Sequence, residues 1–342
     1  MRIIVDIGHP AHVHFFKNLI WDLEKKGHII KITAVEKKDV FELLDAYNFE
    51  YTNMGSYNNR FKKLFSLISV NLKMLILAKK FKPDLFIGWG SPFVCHTSYF
   101  TKSKSILFLD NEPAIAHKIC TPFADLICTS SAYSINYGKK HLKYNSYEPL
   151  AYLHPEFFNQ DCNNDFSENK LEKKLNDCII LRFSAWDAIH DIGENGFNFE
   201  NKEQLFKFIS ELEKYGSILI SHEGNLDEDL KKYELKIQPE EYHFILSQAK
   251  LYAGEGASSA VEAALLGVPS IYISSLKLGF IDELEKKYDL IKTCNGHADA
   301  KVEAIRILEN TESKNEIKRK RDRLIEEKEN MTKWMIDLIE RM

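Results

Sequence analysis

Four stretches of the sequence combine residue types that could handle a proton, a ribose or a phosphate. The segment Asp6-Ile7-Gly8-His9-Pro10-Ala11-His12-Val13-His14 places three histidines within six residues. Imidazole titrates near neutral pH, which suits His12 or His14 to general-base work. The same rings could ligate a metal or form a purely structural cluster. No cysteine or carboxylate sits beside them at ligand spacing, so neither a metal nor another cofactor is expected. A second stretch, Asp110-Asn111-Glu112-Pro113, supplies two carboxylates. Burial near a cleft would raise the pKa of one and let it carry a proton, whereas at a helix start the same residues act as an N-cap and first-turn charge.

The third stretch is Ala253-Gly254-Glu255-Gly256-Ala257-Ser258-Ser259, followed by Ala260 to Leu266 and the break Gly267-Val268-Pro269. Small residues let a ligand approach the backbone, and the N–H groups of a helix's first turn attract phosphate. Glu262 falls about one turn further in, where a carboxylate can accept hydrogen bonds from ribose hydroxyls. A plain tight turn with Glu262 as a solvated helix residue fits the spacing too. In the fourth stretch, Leu181-Arg182-Phe183-Ser184, Arg182 ends an apolar run. A guanidinium there could neutralise a diphosphate or make an ordinary surface ion pair.

Strands alternating with helices must position these residues. Ile3 to Ile7 reads as a strand, Gly8-His9-Pro10 breaks it, and Phe15, Phe16, Leu19, Ile20 and Leu23 recur at helical spacing. Gly27 ends that helix before a strand at His28 to Val35. The alternation continues through a lysine-rich helix, Arg60 to Phe81, and strands at Leu85 to Gly88, Ile106 to Leu109 and Leu126 to Thr129. From Tyr144 to Lys174 the periodicity fails, which predicts a connection between domains. It resumes with strands at Cys178 to Arg182, Ser217 to Ser221, Leu251 to Ala253 and Pro269 to Ile273. Helices are predicted between them around Lys202 to Lys214, Pro239 to Gln248 and Ser258 to Leu266. This pattern predicts an α/β protein with two parallel sheets. Residues 1–150 form one Rossmann-like domain, 151–177 a linker region, 178–314 a second Rossmann-like domain, and 315–342 a charged helical tail.

A chain of 342 residues with 44% hydrophobic and 28% charged residues and a net charge of −4 is long enough for two cores and gives no broad attraction to nucleic acid. Any basic surface must be local. Six scattered cysteines without C-x-x-C spacing fit neither a zinc site nor a disulfide framework and point to a reducing cytoplasm. No signal peptide or membrane span is expected. Between Arg60 and Lys82, apolar residues accompany Arg60, Lys62, Lys63, Lys73, Lys79, Lys80 and Lys82. Such a helix can cover a sheet or rest on the anionic inner face of a membrane.

The segments DIGHPAHVHFFKN (Asp6 to Asn18), DNEPA (Asp110 to Ala114), AYLHP (Ala151 to Pro155), LRFSAWDAIHD (Leu181 to Asp191) and EAALLGVPS (Glu262 to Ser270) resemble the DUF354 family, which is grouped with GT-B glycosyltransferases and nonhydrolysing UDP-N-acetylglucosamine 2-epimerases. The resemblance implies a GT-B fold: two Rossmann-like domains with a cleft between them. The nucleotide-sugar would be held by Gly8, Arg182, Ser184, Gly254, Glu255, Gly256, Ala257, Ser258, Ser259 and Glu262. Among these, Glu262 corresponds to the ribose-binding glutamate and Gly256 to Ser259 to the diphosphate-facing turn. The catalytic candidates are His14, His12, Glu112 and Asp110, with Glu112 similar to a catalytic-cleft glutamate of the epimerases. The epimerases' histidine-arginine motif is not reproduced: Arg182-Phe183-Ser184 stands in that region, and His190 comes later.

The expected activity is metal-independent transfer from a nucleotide-sugar, a UDP-sugar by preference, in surface-polysaccharide or glycoconjugate biosynthesis. The acceptor would be a sugar or a lipid-linked molecule. UDP-N-acetyl-sugar epimerisation and noncatalytic nucleotide-sugar binding are the alternatives.

Overall fold

A computed structural model describes residues 1–55, 62–109, 115–161, 177–183, 196–222, 224 and 226–342. It divides into two compact units, one comprising Met1–Tyr152 with Lys328–Met342 and the other Leu153–Glu327.

The first unit holds seven parallel strands: β1 (Arg2–Ile7), β2 (Ile29–Ala34), β3 (Tyr51–Asn53), β4 (Leu85–Trp89), β5 (Lys104–Phe108), β6 (Leu126–Ser130) and β7 (His141–Tyr144). Their order is β3-β2-β1-β4-β5-β6-β7. The inner strands β1, β4 and β5 are buried along nearly their whole length, as a parallel sheet covered on both faces requires. The order reverses between β1 and β4, and open α/β sheets bind ligands outside the carboxyl ends at such a switch point.

The helix Pro10–Lys25 starts there. His9 occupies its N-cap in extended conformation and accepts from the Ala11 N–H, and Pro10 pre-sets the first turn. Beyond its end, Gly27 adopts φ 82°, a left-handed conformation that favours glycine. The helix buries Phe15, Phe16, Leu19, Ile20 and Leu23; each such side chain contributes about 1.5–3 kcal/mol by leaving water. The last helix, Met331–Glu340, packs against it. Asn18 Nδ2 and Thr332 Oγ1 both donate to the Ala151 carbonyl at 2.8 Å.

The second unit holds five parallel strands: β8 (Cys178–Phe183), β9 (Ser217–His222), β10 (Leu251–Gly254), β11 (Ser270–Ile273) and β12 (Ile291–Cys294). Their order is β12-β11-β10-β8-β9. Here the reversal falls between β8 and β10, with Arg182 in register with Gly254. Phe183, Phe197, Phe199 and Phe208 cluster at ring-centroid separations of 4.9–5.6 Å, Phe197 and Phe199 stacked and the other pairs tilted or edge-on.

The α/β class read from the sequence is the architecture present. Two short helices, Leu150–Leu153 and Pro155–Asp161, occupy part of the region read as a linker. The charged C-terminal region consists of two helices that belong to different units, Ser313–Glu327 to the second and Met331–Glu340 to the first. Asn330 starts the latter by accepting from the Lys333 N–H at 3.1 Å, a standard N-cap bond.

Candidate functional site

In the second unit, the predicted phosphate-facing residues meet at the switch point between β8 and β10. Gly256 is the N-cap of helix Ala257–Leu265 and brings no side chain to cover the first-turn N–H groups. Arg182 reaches this turn from the end of β8. A methyl group on Gly256 would stand 3.1 Å from Arg182 Nε, so the missing side chain lets the cation lie against the helix start. Gly254 is tighter still, since a methyl there would come within 2.8 Å of the Arg182 carbonyl oxygen and 2.7 Å of the Tyr252 hydroxyl. The guanidinium is oriented by Arg182 Nη1 donating to Ser221 Oγ at 2.7 Å. A fixed cation beside open N–H dipoles is an arrangement that attracts an anion.

Glu262 is buried on the same helix, with Oε1 hydrogen-bonded to His243 Nε2 at 3.1 Å. The Tyr252 hydroxyl donates to the Gly256 carbonyl at 3.2 Å, and the charges of Glu262 and Arg182 both act on the Tyr252 and Tyr242 phenols. Burial raises both phenols, Tyr242 to about 12 with the Glu262 charge adding to the effect, and the Arg182 charge opposes the rise at both. Both hydroxyls therefore stay protonated at neutral pH.

Of the other residues predicted here, Ser258 is exposed, Ala257 is half-buried and Ser259 is buried. Glu255 has a structural task, since its Oε1 accepts from the Phe197 N–H at 2.9 Å. The same carboxylate fills the space a side chain on Gly196 would need. Ser184 and His190 lie outside the described residues.

In the first unit, the structure separates the candidate histidines. His12 is half-buried and stacks on Trp89, with ring centroids 5.4 Å apart and planes 6° from parallel. Its Nδ1 accepts from the Gly8 N–H at 3.1 Å, which assigns the ring proton to Nε2. Burial, with the charges of His9 and Lys37 adding to it, lowers its pKa to about 3. A ring lowered this far stays neutral at ordinary pH and is a weak acceptor for a proton.

His14, two residues on, faces Tyr47 and Tyr152 and is only 7% exposed. Its Nδ1 lies 3.3 Å from the Tyr47 hydroxyl. Asp110 and Glu112 lie outside the described residues.

Sequence reasoning did not find the group that organises this loop. Asp6 is buried at the end of β1 and accepts from Thr33 Oγ1 at 2.7 Å and Ser91 Oγ at 2.6 Å. Burial pushes its carboxyl up, while the two hydroxyls pull the other way. Ser91 also caps helix Pro92–Thr101 through the Val94 N–H. One carboxylate therefore ties together the ends of β1, β2 and β4. His243 is the corresponding omission in the second unit. Nothing near it in the sequence points to a glutamate nineteen positions away.

An uncharacterised protein of Methanocaldococcus jannaschii is 24% identical to this chain over 284 residues, covering 79% of this chain and 81% of that protein. Among solved structures, the UDP-GlcNAc 2-epimerase of Methanocaldococcus jannaschii is similar with a TM-score of 0.63 at 14% identity, covering 92% of this chain and 94% of that one. Spinosyn rhamnosyltransferase SpnG complexed with thymidine diphosphate is similar with a TM-score of 0.61 at 12% identity, covering 99% and 100%. At these identities the likeness is one of fold, and it makes the α/β architecture that of the GT-B class. The family model described as "Protein of unknown function (DUF354)" matches residues 1–340, and the chain belongs to that family.

Proposed function

We propose that this protein is a metal-independent glycosyltransferase that uses a nucleotide-sugar, a UDP-sugar by preference, in surface-polysaccharide or glycoconjugate assembly. The observation that carries this reading is the Arg182 guanidinium laid against Gly256 at the start of helix Ala257–Leu265. Negative charge builds on the diphosphate as the bond to the sugar breaks, and a preset cation with helix N–H dipoles stabilises it. Glu262 is assigned to the ribose hydroxyls, with His243 fixing one of its oxygens. His14 is assigned the acceptor's proton and His12 a hydrogen-bond donor's role. The fold likeness to a rhamnosyltransferase complexed with thymidine diphosphate supports the reading. The likeness to a UDP-GlcNAc 2-epimerase supports the epimerase alternative equally.

Incubation with a panel of UDP-sugars, with and without sugar acceptors, tests the proposal. Transfer only in the presence of an acceptor is expected. An epimer formed without acceptor would replace transfer by epimerisation, and UDP binding with no turnover of any sugar would make the protein a nucleotide-sugar binder.

Glu262→Ala should weaken UDP binding by about 1.5–3 kcal/mol through lost charge-assisted hydrogen bonds, measured by calorimetry. Unchanged affinity in a folded variant would leave Glu262 as a structural partner of His243.

A further inference from the structure

Helix Lys62–Phe81 turns Val70, Met74, Ala78 and Phe81 into the core of the first unit. That is the apolar face a sheet-covering helix needs. Ile68, Leu72 and Ile76, spaced four residues apart on another side, are each more than half exposed. The neighbouring helix Pro92–Thr101 packs directly on this one and adds Tyr99 and Phe100, exposed by 62% and 73%. Five large exposed apolar side chains on two helices that pack on each other are more than the scattered single residues of an ordinary exterior and mark a contact surface.

Charge decides what that surface fits. Residues 60–109 carry nine lysines and arginines against the single carboxylate of Asp84, a net of +8 in a chain whose total is −4. Lys79, Lys80, Lys82, Lys102 and Lys104 are all exposed. Four of them, Lys79, Lys82, Lys102 and Lys104, line a hollow of ≈ 560 Å³ together with Leu75 and Phe100, so the cations border the apolar patch. A second copy presenting the same face would bring like charges together, which opposes symmetric pairing. No helix among the described residues is long and apolar enough to cross a membrane.

We propose that this face docks the first unit on the surface of an anionic lipid bilayer. Ile68, Leu72, Ile76, Tyr99 and Phe100 enter the boundary between headgroups and acyl chains, and the lysines lie at the lipid phosphates. The inference stands apart from the nucleotide site and needs no nucleotide in its test.

Purified chain is mixed with vesicles of phosphatidylglycerol and phosphatidylcholine, or of phosphatidylcholine alone, and sedimented at low and high salt. Binding to the anionic vesicles only, released by high salt, is expected. Two variants separate the contributions, one with Ile68→Ser, Leu72→Ser and Ile76→Ser and the other with Lys79→Glu, Lys80→Glu, Lys82→Glu and Lys102→Glu. Each should lower partitioning by about tenfold or more with circular dichroism unchanged, since every replaced side chain is exposed. The proposal is overturned if the wild type ignores anionic vesicles or if both variants bind as well as it does. Light scattering supplies a third adverse outcome: a lipid-free wild-type dimer that the serine variant abolishes would assign the face to a second copy.

Discussion

Replacing His14 by alanine is expected to lower turnover of the nucleotide-sugar about 10²–10⁴-fold while leaving nucleotide affinity nearly unchanged, as loss of a general base should. Of the two candidate rings, His12 has its Nδ1 committed to the Gly8 N–H and a pKa of about 3. That leaves His14, oriented by the Tyr47 hydroxyl at 3.3 Å, in the base-plus-orienter geometry that proton transfer uses. Alanine also removes a ring packed beside Tyr47 and Tyr152, so lost packing could imitate lost chemistry. His14→Gln separates the two effects, because glutamine keeps much of the volume and can still bond Tyr47 but cannot hold a proton. A comparable fall in turnover for folded His14→Gln is the expected result. Near-full activity in that variant would remove His14 as the base and leave Glu112 and Asp110 as the candidates.

The second large effect is expected at Arg182. Arg182→Ala should weaken UDP binding by about 2–3 kcal/mol, roughly 30- to 150-fold, the size expected for charge-assisted hydrogen bonds to a diphosphate. Arg182→Lys should fall between the variant and the wild type, because an ammonium keeps the charge but loses the planar fork that Ser221 orients. Calorimetric titration with UDP and with uridine separates the contributions, since uridine has no phosphate for Arg182 to hold. Equal losses for both ligands would mean that the substitution deforms the pocket; unchanged UDP affinity would remove Arg182 from the site.

The inner strands were legible for a physical reason. β1, β4, β8 and β10 are covered on both faces and therefore read as continuous apolar runs. The strands that sequence patterning does not reveal are β3, β7 and β12, and all three lie at sheet edges. β7, His141-Leu142-Lys143-Tyr144, has one buried residue in four, so neither alternation nor an apolar run announces it. Helix Pro92–Thr101 is obscure for a related reason, since its aromatic end, Tyr99 and Phe100, faces outward.

At the site, residues whose role depends on their own backbone were legible. Gly254 and Gly256 could be read as a turn that lets something approach, and the structure brings Arg182 against both. Residues whose role depends on a distant partner were not. Asp6 needs Ser91, eighty-five positions away, to become a junction, and Glu255 needs Phe197 to become a strut. His12 and His14 look equivalent in sequence, and distant partners distinguish them: the Trp89 ring at His12 and the Tyr47 hydroxyl and Tyr152 ring at His14.

The central claim is that a nucleoside diphosphate binds at the carboxyl ends of β8 and β10, and a crystal structure of the protein with UDP tests it most directly. The account predicts phosphate oxygens within hydrogen-bond distance of the Arg182 guanidinium and of the Ala257 or Ser258 N–H, with the ribose hydroxyls on Glu262. UDP bound elsewhere, with the Gly254–Ser259 turn and Arg182 untouched, would contradict it.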